Sequence, residues 1–211
     1  MGSRDVRRIA PLAVRAAVVL LMVTSAPAAA QNDRQPSGER GTELNGLIGV
    51  GTNETHTGLT LAGIAGWQMS SWAILEARGA WLERGNRADS FEADVGALVK
   101  VVRKVPVAPY VGAGFGLYQA KFDGPNATMS DFYRQRIEEG GVTSASQAFV
   151  DPALRLSAGA DLRVSRRVSL RPEASAIIVR RDGHGETIGW FGLRFSFRFE
   201  EHSVTPQRVT P

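Results

Sequence analysis

The sequence predicts an all-β fold: a closed antiparallel up-and-down barrel of eight transmembrane strands. Three observations predict it. Between Glu43 and Phe199, strand-length segments alternate apolar and polar residues, a period of two that no helix produces. Their polar positions hold acids and bases in near balance. An export signal precedes them.

The signal comes first in the chain. Arg4, Arg7, Arg8 and Arg15 form a basic start, Ala16 to Val23 a short apolar core, and Ala28-Ala29-Ala30 a small-residue cleavage site before Gln31. Arg15 and Pro27 confine the apolar run well below the ~18 residues of a spanning helix. Residues 1–30 therefore read as a signal peptide, 31–42 as a flexible N-terminal segment, 43–200 as the barrel and 201–211 as a polar C-terminal tail. The chain has no cysteine, which excludes disulfides and thiolate metal sites. Its net charge of +4 owes most to the four arginines of the leader, so the mature chain lacks the basic surface that nucleic acid requires.

Eight strands follow in order: about 43–51, 57–69, 72–84, 90–102, 107–120, 153–164, 168–179 and 187–199. In the first, Leu44, Ile48 and Val50 share one side; in the second, Leu59, Leu61, Ala65 and Trp67. In the third, Ala73, Leu75, Ala77 and Trp81 oppose Glu76 and Arg78. The fourth is clearest, with Phe91, Ala93, Val95, Ala97 and Val99 opposing Glu92, Asp94 and Lys100. The fifth sets Val111, Ala113, Phe115 and Leu117 against Tyr110, Gly112, Gly114, Gly116 and Tyr118. The sixth, seventh and eighth set leucines, alanines and phenylalanines against Arg155, Asp161, Arg163, Arg171, Glu173, Arg194 and Arg198. Pro172, inside the seventh, removes a ladder donor and belongs near the periplasmic end or at a bulge. Connections after even strands are short, and those after odd strands, 52–56, 85–89, 121–152 and 180–186, tend to be longer. That asymmetry puts both termini in the periplasm.

Alternation alone fits a soluble barrel with an oily lumen as well. Export, the mixed charges and the aromatics favour lipid outside. Glu76, Arg78, Glu92, Asp94, Lys100, Arg155, Asp161, Arg163, Arg171, Glu173, Arg194 and Arg198 are expected to fill the lumen and pair there. An eight-stranded interior is just wide enough for side chains. Trp67, Phe197 and Phe199 fall near the short turns and Trp81 and Phe91 near the loops, as interfacial girdles do, while Trp190 points inward.

The stretches PVAPYVGAGFGLY (106–118), GADLRVSRRVSLRPE (159–173) and GWFGLRFSFRFE (189–200) resemble the small eight-stranded outer-membrane β-barrels related to outer-membrane proteins A and X. The similarity covers about 43–200. It implies a bacterial outer-membrane location, insertion by the barrel assembly machinery, contact with outer-membrane lipid and lipopolysaccharide, and roles from envelope stability and adhesion to solute passage. One departure is the twelve residues that follow Phe199, since members commonly end on a terminal phenylalanine.

Motifs for chemistry are sparse. His56 and His184 fall in loops and His202 in the tail, none with nucleophile–base spacing. His184 with Asp182 and Glu186 makes only a weak metal pattern. GVGTN and GAGFG lack the lysine and helix of a phosphate loop. No catalytic residue, metal or cofactor is expected. The segment 121–152 carries the most promising surface: Asp131 to Glu139 reads as a short helix capped by Ser130, exposing Phe132, Tyr133 and Arg134 to a ligand. The expected function is non-enzymatic, in envelope integrity or in surface binding through extracellular loops. A narrow solute pore and a lipid-modifying barrel enzyme are the alternatives.

Overall fold

The computed structural model describes residues 41–53, 56–101, 107–124, 126–140, 146–181 and 183–200. The leader, residues 31–40, His202 and the tail lie outside these residues. The eight strands are β1 (Gly41–Thr52), β2 (Thr57–Gln68), β3 (Ala73–Glu83), β4 (Ala88–Lys100), β5 (Val107–Asp123), β6 (Ser146–Arg163), β7 (Val168–Arg181) and β8 (His184–Glu200). One helix, α1 (Asp131–Gly140), lies between β5 and β6. Each strand pairs antiparallel with the next, and β1 closes on β8 from Gly41↔Glu200 to Thr52↔Gly189. Closure is what hydrocarbon demands, because an open edge there would leave backbone N–H and C=O groups without water.

The two walls divide as the alternation predicts. On β4, Val95 is 64% exposed and Glu92 0% exposed. Leu44, Ile48 and Val50 on β1, and Phe115 and Leu117 on β5, line the same outer face. Trp67, Phe197 and Phe199 face out near the turns and Trp81 and Phe91 near the loops. Trp190 is buried inside, with the Arg78 guanidinium 4.5 Å from its ring centroid. Gly114 serves the crowded lumen: a Cβ there would lie 3.0 Å from the Arg155 Nη2.

Two expectations change. Strands β5 and β6 stay paired out to Asp123↔Ser146, and β7 and β8 to Arg181↔His184, so much of two expected loops is strand. As strands of 17 and 18 residues, β5 and β6 exceed the ~9–11 needed to cross. The connection after β7 is therefore only residues 182–183, where Gly183 takes φ +81°, while 101–106 after β4 is longer. The length asymmetry rests chiefly on 124–145. Pro172 sits in the turn-side half of β7 without a bulge: the pairs Gly159↔Glu173 and Leu162↔Leu170 keep one register around it.

Candidate functional site

The lumen is a stack of charged and apolar layers. Its turn-side half holds the predicted ion network. The Arg171 guanidinium donates to both Glu43 oxygens, at 2.6 and 2.9 Å, and its Nε lies 3.3 Å from Asp161. Lys100 donates to Asp161 at 2.6 Å. Arg155 grips Asp94 with two bonds of 3.0 and 2.9 Å. Arg194 donates to Glu76 and, at 3.3 Å, to Glu173, which also accepts the Tyr110 hydroxyl at 2.8 Å. Arg78 lies 3.8 Å from Glu92 and 3.7 Å from Glu173. Arg198 reaches toward Glu43 at 3.9 Å.

The structure thus gathers the predicted residues with one exception. Arg163 ends β6 exposed at the turn-side rim, because the strand runs out before its side chain can enter the lumen. Sequence reasoning left Glu43 out of the network and set Tyr110 on the inward wall without a partner, although both share the inward parity of their strands. Two-point Arg–carboxylate pairs fix geometry as well as charge. Their mutual attraction offsets a large desolvation cost, so their chief effect is to make each partner indispensable to the other.

Toward the loops the lumen turns apolar. Leu47, Ile64, Leu82, Ile177, Val179 and Ile188 face inward and pack with Phe122 and Trp190. Above them Arg84 donates to the Tyr118 hydroxyl at 2.6 Å and to Glu186, which also accepts Asn53 at 2.9 Å. Glu186 is therefore committed to the barrel mouth while His184 is exposed, which removes their pairing as metal ligands. Asp182 lies outside the described residues. Among the described residues, no group of three His, Cys, Asp or Glu side chains could hold a metal.

Helix α1 closes this end, and here the structure corrects the sequence. Phe132 is only 6% exposed and Tyr133 0%. Both turn into the mouth rather than outward, because Phe122 and Phe149 offer an aromatic seat: Tyr133 lies 5.2 Å from Phe122 and 5.3 Å from Phe149 between ring centroids. The Arg136 guanidinium covers Phe149 at 4.6 Å and pairs at 2.6 Å with Asp151, which also meets Arg181 at 3.2 Å. Of the expected contact residues, Arg134 alone remains on the surface, 3.4 Å from Asp131. The helix begins as predicted, with the Ser130 carbonyl accepting from the Arg134 N–H at 3.1 Å, but the Ser130 hydroxyl is buried without a hydrogen-bond partner. Burial also pushes the Tyr133 phenol above its ordinary range.

These walls and layers define a β-barrel whose apolar girth meets lipid. The chain belongs to the outer membrane protein beta-barrel domain family, whose profile matches residues 16–199. Among solved structures it is similar to Neisserial surface protein A, at 11% identity and a TM-score of 0.57, covering 78% of this chain and 100% of that one. It is also similar to the outer membrane protein OprG from Pseudomonas aeruginosa, at 9% identity and a TM-score of 0.50, covering 78% and 98%. The outer membrane enzyme PagL matches at 12% identity and a TM-score of 0.41, covering 74% and 98%. Likeness of this degree concerns the fold alone. No curated protein matches the sequence.

Proposed function

We propose that this outer-membrane barrel is non-enzymatic and closed to solutes, and that it serves the envelope by spanning the membrane while presenting its loop-side surface outward. The observation that carries this reading is the double closure of the lumen: the Arg171–Glu43, Arg155–Asp94 and Arg194–Glu76 pairs below, and the docked Phe132 and Tyr133 above. A solute would have to displace both. The single long connection, 124–145, faces the extracellular side and both termini the periplasm, as small barrels with unequal rims are oriented. Residues 1–30 direct export and are removed, and the barrel assembly machinery inserts the chain. The exposed face of α1, with Arg134, Gln135 and the carboxylates Glu138 and Glu139, meets lipopolysaccharide or a surface ligand.

Planar-bilayer recording tests the closure. The purified barrel should give no discrete conductance steps; regular steps would establish a pore instead. Replacing 124–145 with a short turn tests the surface role, which should disappear from intact cells carrying a barrel that still folds.

A further inference from the structure

The two fully described turn-side connections are built alike. In 69–72 the Met69 and Ser70 N–H groups donate to the Ala73 carbonyl at 3.0 and 3.2 Å; in 164–167 the Val164 and Ser165 N–H groups donate to the Val168 carbonyl, both at 3.0 Å. The Ser70 hydroxyl accepts from Trp72 and Ala73 at 3.4 and 3.1 Å, and the Ser165 hydroxyl from Arg167 and Val168 at 3.3 and 3.1 Å. Equivalent positions therefore carry Ser71 and Trp72 in one turn and Arg166 and Arg167 in the other, all exposed.

The connections at the two rims differ in charge. The turn-side connections 69–72, 101–106 and 164–167 contain Arg103, Lys104, Arg166 and Arg167 and no acid, while Glu200 ends β8 at the same rim. The loop-side segments carry Arg84, Arg87, Arg134 and Arg136 against Glu54, Asp131, Glu138, Glu139 and Asp182. Arg163 extends the basic stretch, and from Leu162 to Pro172 there is no acidic residue.

The same rim is apolar at its edge. Met69, Val101 and Val164, each opening a turn-side segment, are 66%, 65% and 64% exposed. An aqueous anion would have no use for those side chains. A lipid would: its acyl end meets Met69, Val164 and Trp72, and its phosphate meets guanidinium groups that match phosphate oxygens two at a time.

We infer that the turn-side rim is a headgroup collar for anionic phospholipid, with Arg166 and Arg167 as its phosphate contacts and Arg163 beside them. This rests on the reading that this rim faces the periplasmic, phospholipid leaflet. The test is the full mature chain in nanodiscs of phosphatidylcholine with phosphatidylglycerol, using spin-labelled forms of each lipid. The folded protein should prefer phosphatidylglycerol roughly fivefold at low salt, and high salt should abolish the preference. Arg166→Gln with Arg167→Gln should remove it, and Arg87→Gln with Arg134→Gln on the other rim should keep it. Equal affinity for the two lipids in the wild type, or equal loss in both double variants, would overturn the inference. Should the first pair prevent folding, the wild-type ratio at low and high salt decides alone. Nanodiscs have no sidedness, so the result is independent of orientation, which protease cleavage of a tag within 124–145 on intact cells reports separately.

Discussion

Glu43 is the carboxylate on which three arginines converge: Arg171 at 2.6 Å, Arg194 at 3.7 Å and Arg198 at 3.9 Å. Removing it leaves guanidinium groups in a closed lumen without their counter-charge. Glu43→Ala should therefore lower the unfolding free energy by about 3–5 kcal/mol, read as a lower urea midpoint for barrels in vesicles. Arg163→Gln, exposed at the rim, should change it by no more than a few tenths of a kcal/mol. At this scale the sequence was readable wherever parity held. Glu76, Glu92 and Asp94 announced themselves as charges opposite a run of alanines, valines and aromatics. Glu43 escaped because it stands at the very start of the pattern, with few residues before it to establish a phase. Arg163 failed at the other end: parity names a face, but not the height at which the lumen stops.

Helix α1 was legible as a helix and illegible as a plug. A ten-residue segment with aromatics on one side says that it has a face to bury, not which surface receives it. The clue lay in other elements, since Leu47, Ile64, Leu82, Ile177 and Ile188 are apolar at positions whose parity points inward. Those exceptions to the charged wall cluster toward the loops, and they form the floor on which Phe132 and Tyr133 rest. Phe132→Ala should free the helix without unfolding the strands, so that added protease cuts within 131–140 while the heat-shifted gel migration of the barrel survives. Tyr133→Phe should be neutral or stabilising by about 1 kcal/mol, because its buried hydroxyl has no hydrogen-bond partner. Because burial raises the Tyr133 phenol, the docked helix favours the protonated form. Docking is then at full strength below the ordinary phenol value of 10.0 and weakens as pH rises beyond it. Cleavage of the helix by an alkaline-active protease should increase over that range in the wild type and less in Tyr133→Phe.

The whole molecule is an inverted globule: greasy residues outside, ion pairs and a small apolar plug within. That arrangement is favourable only in lipid, and it was the best-determined property of the sequence because eight strands repeat it. The extra length of β5 to β8 was not legible, since nothing in Gln147 to Val150 separates a strand from a loop. Val95→Arg, at the middle of the outer wall, should cost about 2–4 kcal/mol in a bilayer, measured by urea titration in vesicles. The chain has no cysteine, so single cysteines carrying a nitroxide can be introduced one at a time from Ser90 to Val99 in bilayers. Accessibility to dissolved oxygen should peak at 91, 93, 95, 97 and 99 and fall at 90, 92, 94 and 98. Peaks at the even positions instead would put the carboxylates against the acyl chains and contradict the account.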